Sequence, residues 1–144
     1  MVPASAPSDA PRVTHWILAV LALHVAQTLL APTIRYLLAG PGVVERLRLA
    51  LGPRDVQPPL SAVGARAARA LANLHEALPV FLTVALLHVA QRTASPSASH
   101  GAACFLVARV LYVPAYLSGV PGLRSLLWVA SWIALASMLL ALRA

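Results

Sequence analysis

Four long apolar segments, residues 14–38, 66–91, 101–119 and 122–143, constrain this chain more than any other feature. Each is close to the ~20 residues that cross ~30 Å of hydrocarbon at ~1.5 Å per residue. Inside a bilayer each segment must satisfy its own backbone N–H and C=O groups, so runs of this length predict helices. The fold class expected is an all-α membrane protein, a four-transmembrane-helix bundle. Composition agrees: the chain is 60% hydrophobic and 10% charged, whereas soluble domains are about a quarter charged. The run from Trp16 to Leu30 is longer than a signal-peptide core and lacks a basic leader with a clean cleavage site, so it is read as a helix. Residues 1–13, rich in Pro, Ala and Ser, are expected to form a disordered tail, leaving 14–144 as one domain.

The connections set the order of the bundle. The first, about residues 39–65, holds Gly40, Pro41, Gly42, Gly52, Pro53, Pro58 and Pro59, with a short helical stretch between them from Val43 to Leu51. The second, 92–100, is polar and Ser-rich, and the third, Ser118 to Gly122, is a tight turn. Short connections make the last three long helices antiparallel neighbours. The net charge of +7 comes from eleven Arg against Asp9, Glu45, Asp55 and Glu76. In a soluble protein such an excess suggests nucleic acid; here its distribution speaks to topology instead. Arg35, Arg46, Arg48, Arg54, Arg66, Arg69 and Arg124 lie in or beside the first and third connections, and Arg12, Arg92 and Arg143 lie towards the other side. The positive-inside rule then predicts cytoplasmic first and third connections and both termini outside.

The second long segment carries a polar stripe. At about 100° per residue, Arg66, Arg69, Asn73 and Glu76 fall within a sector of roughly 80°. Glu76 is seven residues beyond Arg69, roughly 10 Å deeper, where an ionised carboxylate facing lipid costs several kcal/mol; it is expected to face protein or water and to have a partner. The third segment supplies Arg109, Tyr112 and Tyr116 at spacings of three and four. Antiparallel packing brings Arg109 and Tyr112 towards Glu76, and Tyr116 towards Arg69 and Asn73. Two readings stand side by side: a polar zipper that fixes helix packing, and one wall of a cationic cavity for an anionic ligand, since the arginines outnumber the single carboxylate.

Arg124 and Ser125 open the fourth segment, where a helix N-terminus favours anions; the plainer reading of Arg124 is a marker of the membrane boundary. Pro79 and Pro114 are expected to kink the second and third segments. Cys104, the single cysteine, is expected to be a packed small side chain. His75 points away from the stripe, and no metal site is expected.

Three stretches, GPRDVQPPLS (52–61), RAARALANLHEALPVF (66–81) and ARVLYVPAYLSGVPGLRSLLW (108–128), resemble the MAPEG family, the membrane-associated proteins of eicosanoid and glutathione metabolism, in its bacterial branch. The resemblance implies a four-helix bundle assembled as a homotrimer, with glutathione as cosubstrate between neighbouring subunits. It implies glutathione contacts at Arg69, Asn73, Glu76, Arg109, Tyr112 and Tyr116. Arg124 resembles the arginine that stabilises the glutathione thiolate, and Ser125 is a candidate hydrogen-bond donor beside it. The function implied is a glutathione-dependent transferase or peroxidase acting on lipophilic electrophiles from the bilayer, in a bacterial inner membrane with periplasmic termini. A small proton-linked transporter using Glu76 and a non-catalytic membrane partner are the alternatives.

Overall fold

The computed structural model describes residues 10–37, 42–53, 55, 57–91, 95–120 and 122–143. Most of the expected tail, together with Arg54 and Arg92 of the charge asymmetry, lies outside the described residues. Five helices are described: α1 (Ala10–Leu37), α2 (Val43–Leu51), α3 (Ala62–Ala90), α4 (Pro96–Ser118) and α5 (Leu123–Ala141). The four long ones are each long and apolar enough to cross a membrane, and α2 is the short helix of the first connection.

Three helices begin earlier than their apolar runs. Ala10–Val13, expected in the tail, form the first turn of α1. At α3 the Ser61 hydroxyl accepts from the Gly64 N–H at 3.1 Å, satisfying one of the donors that every helix start leaves open. Ser95 does the same for the Ala98 N–H at 3.4 Å, and Pro96 follows it with a fixed φ suited to a first turn. Helix is continuous through Pro79 and Pro114.

Hydrophobic matching against small residues holds the bundle. α4 packs most extensively on α5, and α1 on α3. Val13, Ile17 and Val20 of α1 meet Ala77 and Phe81 of α3, Ala102 and Phe105 of α4, and Leu135 and Met138 of α5 in one core. The rings of Phe81 and Phe105 stack with centroids 4.6 Å apart. Lipid supplies little drive for helix association, so close backbone approach matters more than apolar area. Gly101 provides it: a Cβ there would stand 2.5 Å from Met138 Cγ and 3.1 Å from the Ala134 carbonyl oxygen. Buried His88 donates from Nε2 to the Met138 carbonyl at 2.8 Å, tying α3 to α5. Leu18, Val25, Leu86, Val107, Ile133 and Leu140 are exposed, as suits surfaces solvated by acyl chains.

Cys104 departs from expectation. It is exposed, because the buried face of α4 runs through Ala102, Phe105 and Ala108, and position 104 falls outside it.

Candidate functional site

The end of α1, the start of α3, the end of α4 and the start of α5 share one side of the bundle, and the polar residues collect there. Arg66, which helical spacing puts at the start of the polar stripe, donates from Nη1 to the Leu117 carbonyl at 3.0 Å. It closes the C-terminus of α4, where carbonyls lack helical partners and the dipole favours a cation. Gly119 lies beneath that guanidinium with φ of +74°, and a Cβ at that position would come 2.9 Å from Arg66 Cζ. The turn into α5 is thus fixed by a residue of α3.

Deeper in the bundle, Arg109 is 1% exposed. Its Nη1 donates to the Asn73 side-chain oxygen at 2.8 Å, while Nε and Nη2 are buried with no hydrogen-bond partner among the described residues. Its guanidinium lies 5.4 Å from the ring centre of Phe105 and 5.7 Å from that of Tyr112, so aromatic faces contribute to holding the charge. Asn73 Nδ2 in turn reaches Glu76 at a long 3.5 Å. The expected partner for the carboxylate is therefore supplied on the same helix, and Asn73 is the group that Arg109 meets directly.

Above this layer opens a cleft of about 500 Å3 lined by Asn73, Tyr112, Tyr116, Arg124, Ser125, Trp128 and Val129. Three helices build it. The rings of Tyr112 and Tyr116 stand 5.4 Å apart, and Arg124 Cζ lies 5.5 Å from the centre of the Tyr116 ring. Gly122, the residue before α5, offers no side-chain cap, so the first-turn N–H groups of α5 keep their capacity for an anion beside Arg124. The volume suits a small-molecule ligand, whose sites run to about 300–1,000 Å3.

Asn73, Tyr112, Tyr116, Arg124 and Ser125 of the expected site thus come together around one cleft. Arg109 lies among buried side chains beside Asn73. Arg69 and Glu76 are exposed on the outer face of α3, apart from the cleft lining. Trp128 and Val129 were missed, although their positions carry a signal: 124, 125, 128 and 129 fall on one face of a helix at spacings of one and four. His75 lies on another side of α3, its ring 5.0 Å from that of His24.

The profile of the MAPEG family matches residues 13–144. The chain belongs to the MAPEG family. Neither the curated proteins nor the solved structures contain a match to it. As a MAPEG protein it is an integral membrane protein, and the match runs through all four long helices.

Proposed function

We propose that this MAPEG protein binds glutathione or a closely similar thiol in the cleft between α3, α4 and α5, and uses it as a transferase or peroxidase against lipophilic electrophiles or hydroperoxides arriving from the bilayer. The observation that carries the reading is the convergence of Asn73, Tyr112, Tyr116, Arg124 and Ser125 from three helices on one cleft. The donor set suits such a ligand. Glutathione brings two carboxylates, an amine and a thiol, and the cleft offers a guanidinium, an amide, hydroxyls and open helix N–H groups. The orphaned N–H groups of Arg109 add cationic character beneath it.

When bound, the thiol supplies the nucleophile. Arg124 favours its ionised form, since a neighbouring cation stabilises the thiolate. Ser125 and the tyrosines donate hydrogen bonds that orient the ligand, and Trp128 and Val129 offer an apolar wall to an acceptor entering from lipid. Arg69, Glu76 and the outer face of α3 belong to the contact with a second copy, in a homotrimer. An exposed carboxylate fourteen residues into α3 lies roughly 21 Å along the helix, where facing lipid costs several kcal/mol. Arginine distribution supports a cleft open to the cytoplasm, and the likeness to the family's bacterial branch supports a bacterial inner membrane as its place.

Purified protein is expected to conjugate glutathione to a chloronitrobenzene-type acceptor, and Arg124→Ala to lower turnover more than glutathione binding. A folded preparation that neither binds nor turns over the thiol would leave the non-catalytic reading in its place.

A further inference from the structure

The short helix α2 has none of its residues buried, although more than half of it is large and apolar. Val43, Val44, Leu47 and Leu51 are 78%, 82%, 57% and 79% exposed. On a helical projection these four and Ala50 fill one sector of roughly 120°. Arg46 and Arg48 flank that sector on opposite edges, and Glu45 stands on the far side, roughly 100° beyond the apolar edge. A helix with this distribution inside a soluble domain would bury its apolar stripe against a core. Among the described helices α2 touches only α1.

The position of α2 selects the occupant of the bare sector. Six Cα steps separate Leu37 at the end of α1 from Val43, a reach of at most about 20 Å. α1 and α3, to which α2 is joined at its two ends, are both long and apolar enough to span the membrane. α2 is therefore held at the headgroup layer on the side to which the cleft opens. Apart from Leu49, which is half-buried on the far side beside Glu45, the large apolar side chains point one way, cations sit at both borders and the acid is turned away, which is complementary to an anionic leaflet.

We propose that α2 lies in the plane of the membrane surface and docks on anionic phospholipid, with Val43, Val44, Leu47 and Leu51 in the acyl boundary and Arg48 and Arg46 at the level of the phosphates. The inference stands apart from the ligand of the cleft. It makes the first connection a lipid-bound strap rather than a loop in water.

The test uses the full chain in vesicles, in a Cys104→Ser background, with an environment-sensitive fluorophore placed at Leu47→Cys or Glu45→Cys. The vesicles are phosphatidylcholine with or without about one-third phosphatidylglycerol, each with spin-labelled lipid. The label at 47 should be quenched by spin-labelled lipid at least about two-fold more than the label at 45, and more strongly when phosphatidylglycerol is present. Arg48→Gln should reduce that gain. Equal access of both labels to aqueous iodide would overturn the proposal by placing α2 in water. Protection of the label at 47 from both iodide and spin-labelled lipid would overturn it in favour of a second copy as the occupant. Quenching indifferent to phosphatidylglycerol would overturn the assignment of anionic lipid.

Discussion

Asn73 accepts from Arg109 with its side-chain oxygen and turns its amide towards Glu76, so one residue of the cleft wall also holds a buried cation in place. Asn73→Ala should leave Arg109 without that acceptor and destabilise the fold by roughly 2–3 kcal/mol, read as a lower Tm in detergent, whereas Asn73→Asp keeps an acceptor and should lose less. Arg124 is the opposite case. It is exposed, so Arg124→Ala should shift stability by no more than about 0.5 kcal/mol while lowering turnover on the order of 100-fold, as removal of a group that stabilises developing negative charge does. Helical spacing was enough to place Asn73, Tyr112 and Tyr116 on facing stripes. The sequence could not reveal which side chain would satisfy Arg109, since an amide and a carboxylate three residues apart on one face compete for the same cation. Nor could it separate the role of Arg66 from that of Arg69, because the Leu117 carbonyl that Arg66 caps exists only once α4 has ended.

Among the elements, the existence of the long helices was legible and their starts were not. Hydropathy marks the residues that must lie in hydrocarbon, but α3 has 29 residues and is about 43 Å long, so its first turns project beyond an apolar layer of ~30 Å. Those turns are held by capping rather than by lipid. Ser61→Ala should therefore cost about 1 kcal/mol, measured by thermal unfolding, and fray the turn that carries Arg66. The contact between α4 and α5 depends on Gly101, whose missing Cβ admits Met138 and the Ala134 carbonyl. Gly101→Val should lower stability by about 1–3 kcal/mol through overpacking, with a lower Tm and faster proteolysis as readouts. Nothing in composition singles out this glycine, since its role arises from a neighbour thirty-seven residues away.

For the whole molecule, the exposed Glu76 and Arg69 on α3 leave polar groups on a surface that lipid would otherwise cover. On the proposed trimeric assembly a second copy covers them, and detergent-solubilised protein should sediment as a trimer. The four-helix plan and the family were legible because membrane crossing imposes simple length rules and the stripes of α3 and α4 carry specific spacing. The ligand was not, because charge complementarity admits any small anion with a thiol or without one. A calorimetric titration of glutathione into the folded, detergent-solubilised protein tests the central claim most directly. Saturable binding, weakened about ten-fold or more by Tyr116→Ala, is the result predicted; the absence of saturable heat from a preparation that sediments as a trimer and melts cooperatively would contradict it.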